Sequence, residues 1–540
     1  MKWRQLGAMV LLALASGFGS LVAAQTVPAA PLWVAPAPAA GAVARAVEQV
    51  RPWQFAVPLA AGLTADADGA WFAEGEERVW RLTVHSAGAE SLSFHFDSWQ
   101  VPPGAALWIR DADSDQRQGP YGTRYNPAGE LWTALIVGDT AHLELRVPHE
   151  ADAPRLRLAR VMHGFRSTDA GLGFTHKAGN CNIDVACPEA DPFREQVRST
   201  VLLQFDGLQF NGSGACTGTL VNNTANDQRP YVLTAHHCGI RANNAASVVA
   251  YFNFERSACE RGAQSNRENV SLDPQQSLSG AVLRATNARS DFTLLEMGDV
   301  NQPAEIPPGW NPFWSGWTRD TTPADAGASI HHPSGDEKSI ALFTTPLTSL
   351  QVCSCAFNRN PCVSDVEDVD NCPAAEVADV WKVTWSSGTT EGGSSGSGLY
   401  ATADALHRGQ LFGGGASCFR PGEPDFYGRF DVSWAHSAAA NAQLAAWLDP
   451  RNVDPVNWPG VGVNATPVPT STPLPTAVPS PTASPSSTPQ PSPPPTAEPS
   501  LPPSDGGSSG ATGYGLLLGL VLLGWWRARH AARRRPRGCH

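Results

Sequence analysis

Three short segments of the 540-residue chain carry side chains that together could hydrolyse a peptide bond. Thr234-Ala235-His236-His237-Cys238 offers a base. Ser290-Asp291-Phe292-Thr293-Leu294-Leu295-Glu296 offers a carboxylate, and Gly392-Gly393-Ser394-Ser395-Gly396-Ser397-Gly398 a hydroxyl among glycines. Serine is a weak nucleophile until a base takes its proton. Imidazole, with a pKa of about 6.5, can take that proton and return it. A carboxylate behind the imidazole fixes its tautomer and stabilises the imidazolium. Glycines beside Ser395 permit a sharp turn that aims backbone N–H groups at a developing oxyanion. Taken singly the segments are ambiguous, since Gly-Ser-Ser-Gly-Ser also describes a flexible linker and His-His a surface pair. Their order in one cysteine-bearing, strand-rich region makes His237 the base, Asp291 its orienting acid and Ser395 the nucleophile. His237 is preferred to His236 because it adjoins Cys238, where a disulfide would fix the backbone. His331-His332-Pro333 reads as a turn.

The elements that must position these residues are strands. Residues 178–460 hold β-branched runs and turns with little helical periodicity, the pattern of an all-β barrel or sandwich. One helix is expected at 438–448, before Asp449-Pro450. Residues 25–177 contain no cysteine and repeat short alternating runs such as Val79-Trp80-Arg81-Leu82-Thr83-Val84, the mark of a separate small antiparallel β domain. Asp111, Asp113 and Asp115 have calcium-loop spacing, but the rest of that loop is missing, so a polar hairpin turn is the reading.

The ends of the chain have other compositions. Lys2 and Arg4, an apolar run to Val22 and Val22-Ala23-Ala24 read as a signal peptide over 1–24. Residues 461–504 are mostly proline, serine and threonine, an extended linker with no core. Residues 505–540 comprise Gly506-Gly507, an apolar run over 511–526 and six arginines. Sixteen apolar residues are marginal for a membrane span. Net charge is -12, and removing the last fourteen residues with their six arginines leaves -12 - 6 = -18. So acidic a body excludes nucleic acid as the main partner. Ten of the 11 cysteines lie between Cys181 and Cys418, which in an exported chain implies disulfides. Zinc at Cys353, Cys355, Cys362 and Cys372 is disfavoured because no CxxC pair is present. No cofactor or metal site is expected.

From Cys181-Asn182-Ile183-Asp184-Val185 to Trp447-Leu448-Asp449-Pro450 the chain resembles the trypsin-like peptidases, most closely the bacterial lysyl endopeptidases. The likeness lies in Leu220 to Asp227, Thr234 to Gly239, Ser290 to Glu296, Phe313 to Trp317, His331-His332-Pro333 and Gly393 to Gly396. It implies a double β-barrel, the triad His237, Asp291 and Ser395, and an oxyanion hole of the Gly393 and Ser395 amides. It also implies disulfides pairing Cys181 with Cys418, Cys187 with Cys259 and Cys216 with Cys238. In trypsin an acidic residue six positions before the serine binds the basic side chain, and here that position is Thr389. Lysyl endopeptidases use an aspartate in a later loop, which Asp425-Phe426-Tyr427-Gly428-Arg429 resembles. Asp425 is therefore expected to hold a substrate ammonium. Phe412, where the family often has histidine, is expected beside the substrate. The family's pocket-side tryptophan has no visible counterpart, and the Cys353–Cys372 insertion is a further departure.

Lys177 precedes Ala178-Gly179-Asn180-Cys181, so a lysine-directed enzyme could free itself there, making 25–177 a propeptide that assists folding or blocks the cleft. Ser394 cannot receive the new N-terminus as an ion-pair partner, because it is not an aspartate. The C-terminal pattern resembles a GlyGly-CTERM sorting signal, which implies processing by a rhombosortase-type intramembrane peptidase, with a permanent membrane anchor as the alternative. The expectation is an exported serine endopeptidase cutting after lysine. A broader lysine and arginine preference, or a silent binding protein on a protease scaffold, are the alternatives.

Overall fold

The structure, a computed structural model, describes residues 30–48, 53–112, 117–123, 129–165, 178–207, 212–259, 275–299, 302–353, 369, 372–374 and 377–463. The expected signal peptide, Lys177, Asp113, Asp115, Cys355, Cys362, most of the linker and the Gly506-Gly507 tail lie outside the described residues. Among the described residues no helix is long and apolar enough to cross a membrane.

Alternation builds the N-terminal sheets. In Thr140–Pro148 the apolar Ala141, Leu143, Leu145 and Val147 are buried, while Glu144 and Arg146 are partly exposed between them. These outer side chains form ion pairs with the neighbouring strands: Arg81 with Glu74 and Glu144, and Arg146 with Glu74 and Glu77. The inner row packs across a core onto Phe94, Phe96, Leu158 and Val161 of a second sheet.

That second sheet does not stop at the end of the N-terminal region. Trp53–Thr64 pairs with Arg155–Gly164 on one side and with Gly212–Leu220 on the other. Beyond Gly212–Leu220 the sheet continues through Thr200–Gly207 and, by a separate branch, through Tyr231–Ala235 and Phe292–Met297. A third sheet carries Gly327–His331, Gly398–Ala401, His407–Gly414, Asp425–Arg429 and Val377–Val383 in neighbouring positions. Among the described residues, strand pairing closes neither of these sheets into a complete ring. The architecture is all-β, built from sheets around separate apolar cores.

The helix expected at 438–448 is two short pieces, Ala440–Ala442 and Ala445–Leu448. Gln443 is extended between them, and Leu444 is drawn into the core beside Trp317 and Phe430, its N–H donating to Ser433 O. Burial of Leu444 thus overrides the helical propensity of the alanines.

Candidate active site

Two sheets meet at the site. Tyr231–Ala235 pairs antiparallel with Phe292–Met297, with Ala235 opposite Phe292. This register sets the residue before Phe292 beside the residues after Ala235. His236–Cys238 forms a 3-10 turn closed by Gly239, whose φ of +79° suits glycine. The Cys216–Cys238 disulfide ties that turn to the adjacent strand. Asp291 sits at φ +54°, and its carboxylate makes two bonds to one residue: Oδ1 accepts the His237 backbone N–H at 2.8 Å, and Oδ2 lies 2.7 Å from Nδ1 of the His237 ring. Nε2 of the ring lies 2.8 Å from Ser395 Oγ.

Ser395 comes from the third sheet, in the loop before Gly398–Ala401. Two bonds dock it against the second sheet, Thr217 N–H donating to Ser395 O at 2.8 Å and Thr217 Oγ1 to Gly393 O at 2.9 Å, while Thr234 Oγ1 braces Thr217 from within that sheet by donating to Thr217 O at 2.8 Å. Two glycines are required for this approach. Gly393 has φ +92°, and a Cβ on it would lie 2.6 Å from Gly335 N. Gly396 has φ +85°, and a Cβ there would collide with Thr234 and Thr217. Gly393 and Ser395 follow each other closely in this turn, and neither backbone N–H donates to another described residue. The arrangement can pass a proton from Ser395 to His237, with Asp291 behind it.

The neighbouring histidines have other partners. His236 Nδ1 lies 2.8 Å from Thr286 Oγ1, and burial, then Arg241, lowers its pKa to about 4. His331 Nδ1 lies 2.8 Å from Ser394 Oγ, behind the nucleophile, and burial lowers its pKa to about 3. His331 ends a strand rather than lying in a turn, and the turn is made by Pro333–Gly335.

A cavity of about 440 Å³ opens beside Ser395 and is lined also by Gly393, Gly413, Gly414 and Asp425. Asp425 is 1% exposed. Its Oδ2 accepts Trp385 Nε1–H at 2.7 Å and Thr390 Oγ1–H at 2.6 Å, both neutral donors. A Cβ on Gly414 would collide with Asp425 Oδ1, so glycine there is what lets the carboxylate reach the cavity. Thr389 is fully buried, one residue short of the threonine that touches Asp425. Sequence reasoning missed Trp385 and Thr390. A usable signal for the first lies in the alternation Trp381-Lys382-Val383-Thr384-Trp385. Reading Trp381, Val383 and Trp385 as one buried face, with Val383 opposite Asp425, places Trp385 near that carboxylate.

Phe412 does not line the cavity. It is buried among Val352, Val380 and Phe426, and its ring meets the His237 ring edge-on at 6.1 Å. It therefore packs on the base and not in the pocket, its side chain lying among residues of its own sheet where the register shifts between Leu411 and Gly413. The disulfides of the structure join Cys181 to Cys418, Cys187 to Cys259, Cys216 to Cys238 and Cys353 to Cys372. The last of these takes two of the four cysteines a zinc site would have needed. Among the described residues no group of three or more His, Cys, Asp or Glu could hold a metal ion.

Residues 175–428 match the family model for the lysyl endopeptidase C-terminal domain. The lysyl endopeptidase of Pseudomonas aeruginosa is 27% identical over 359 residues, which cover 63% of this chain and 70% of that protein. Among solved structures, the Rv3671c protease of M. tuberculosis in its active form is 16% identical, covers 49% of this chain and 86% of its own, and has a TM-score of 0.27. An HtrA-type protease, AlgW, is 12% identical, covers 45% of this chain and 60% of its own, and has a TM-score of 0.26. With the match over 175–428 and the curated relative, the chain is a serine endopeptidase similar to the lysyl endopeptidases.

Proposed function

We propose that the enzyme cuts peptide bonds on the carboxyl side of lysine. Ser395 attacks the carbonyl while His237 takes its proton, and Asp291 holds the ring and stabilises its charged form. The Gly393 and Ser395 amides receive the developing oxyanion. His237 then returns the proton to the departing amine, and water repeats the sequence on the acyl-enzyme.

The observation that carries the lysine reading is the buried Asp425 carboxylate in the cavity beside Ser395. A lysine ammonium entering from the Ser395 end meets that carboxylate in a charge-assisted hydrogen bond, stronger than one between neutral groups. The test is Asp425→Asn assayed on paired lysine and arginine peptides. A fall of roughly a hundredfold in kcat/KM for lysine supports the assignment, in line with a buried bond to a charged group. An unchanged lysine preference rules it out.

The same reading makes 25–177 a propeptide, cut after Lys177. The Ala178 N–H donates to Asp336 Oδ2 at 2.9 Å. Scission would turn that N–H into an ammonium beside a carboxylate whose pKa is raised by burial first and by Glu337 second. Export through residues 1–24 and surface sorting through 505–540 complete the proposal.

A further inference from the structure

Just past the turn that carries His237 stands Arg241, a partly buried arginine with no carboxylate of its own. Its backbone is fixed, since Arg241 N–H donates to Asn244 Oδ1 at 2.6 Å. Its side-chain bonds go to neutral acceptors. Nη1 donates to His236 O and to Ile240 O, both at 3.0 Å, and Nη2 to His236 Nε2 at 3.1 Å. Burial lowers its pKa and the charge of Asp291 raises it, so Asp291 is the carboxylate whose field reaches it. In a chain of net charge -12, a partly buried cation outside any ion pair is held at a cost.

The bonds around His236 run in one direction. Thr286 Oγ1–H donates to Phe292 O at 3.0 Å, so the same oxygen accepts His236 Nδ1–H at 2.8 Å. That tautomer leaves Nε2 as an acceptor, which is what the Arg241 guanidinium requires. The His236 N–H in turn donates to Asp291 O at 2.8 Å. Arg241, His236 and Asp291 are therefore one hydrogen-bonded unit around the base.

The other titratable groups around His237 decide the sign. Asp291 lies behind it, and Glu391 and Asp425 line the cavity that Ser395 shares. Carboxylates favour the imidazolium, and a protonated His237 cannot take the serine proton. His236 beside it and His331 behind Ser394 are kept neutral, with pKa values lowered to about 4 and about 3, chiefly by burial. Arg241 is the cation of this set, and it disfavours the imidazolium.

We propose that Arg241 is a positioning residue for catalysis: through the His236 ring and carbonyl it holds the turn of the base, and its charge offsets the surrounding carboxylates so that His237 stays a proton acceptor below neutral pH. The inference deepens the triad reading above and rests on it.

The test is the pH profile of kcat/KM on a lysyl peptide, whose acid limb reports the base of the free enzyme. The enzyme is matured from the full chain carrying Arg241→Gln, Arg241→Lys or no change. Arg241→Gln should move the acid limb upward by about half a pH unit or more at low ionic strength, the effect of losing one neighbouring charge. Arg241→Lys keeps the charge and should leave the limb where it is, although the lost fork of bonds lowers the maximum rate. A purely structural role would lower rates at every pH and leave the limb in place in both variants. An unmoved limb in Arg241→Gln, or an equal movement in both variants, overturns the proposal. Arg241→Met, which keeps the apolar stem, replaces the glutamine variant if that one does not fold, and is read in the same way. Ser395→Ala is run beside them: undiminished cleavage there overturns the triad reading instead, and the two failures are thereby distinct.

Discussion

Ser395 and His237 are 158 residues apart in the chain and 2.8 Å apart in space, so every consequence of the site depends on that one juncture. Ser395→Ala should remove activity by roughly 10⁶-fold while the protein stays folded, measured as kcat on a lysyl peptide. Asp291→Asn should cost about 10⁴-fold, since the amide can no longer hold the required tautomer. Trp385→Phe removes one of two donors to Asp425 Oδ2. It should lower kcat/KM for lysine about tenfold or more and leave kcat/KM for uncharged substrates unchanged. A loss equal for lysine and for uncharged substrates would instead indicate general damage. The residues proposed as the triad stand out in the sequence because each lies in a short run of characteristic type. Trp385 and Thr390 do not, because they stand 40 and 35 residues from Asp425 and only strand register connects them.

Strands set the pH behaviour of the fold. His407 opens the strand His407–Gly414, wholly buried against Tyr400 and Phe430, and burial lowers its pKa to about 3. His331 is lowered to about 3 as well. A histidine depressed in the folded state binds its proton mainly in the unfolded state. Stability therefore falls as pH drops from about 6.5 toward 3, by up to about 1.4 kcal/mol per pH unit for each such group. Urea midpoints between pH 7 and 4 should show this slope, and His407→Gln should flatten it; an unaltered slope would contradict the account. The Cys216–Cys238 pair spans 22 residues and anchors the turn holding His237. Replacing both with serine should destabilise the protein by about 3 kcal/mol in denaturant melts and lower kcat. The strand Glu77–His85 was legible from the alternation of Val79 to Val84 alone. The helix at 438–448 was overestimated, because composition cannot reveal that Leu444 is needed in the core.

At the scale of the molecule, the proposed division near residue 177 was legible in the cysteines, which begin only at Cys181. The shared sheet across that division was not, since Trp53 and Ala215 are paired by a register no local pattern announces. Asp336→Asn separates the two states of the chain. It should lower the melting temperature of processed enzyme, which loses an ammonium–carboxylate pair, and have little effect on the unprocessed chain. Equal effects on both would contradict the placing of a new N-terminus at Ala178. The most direct test of the central claim is cleavage mapping of a denatured protein mixture by processed enzyme, with peptide ends read by mass spectrometry. The account predicts ends that almost all follow lysine, lost on Ser395→Ala and much reduced on Asp425→Asn. Ends with no preference for lysine, or no cleavage by enzyme verified to begin at Ala178 and to be free of residues 25–177, would contradict it.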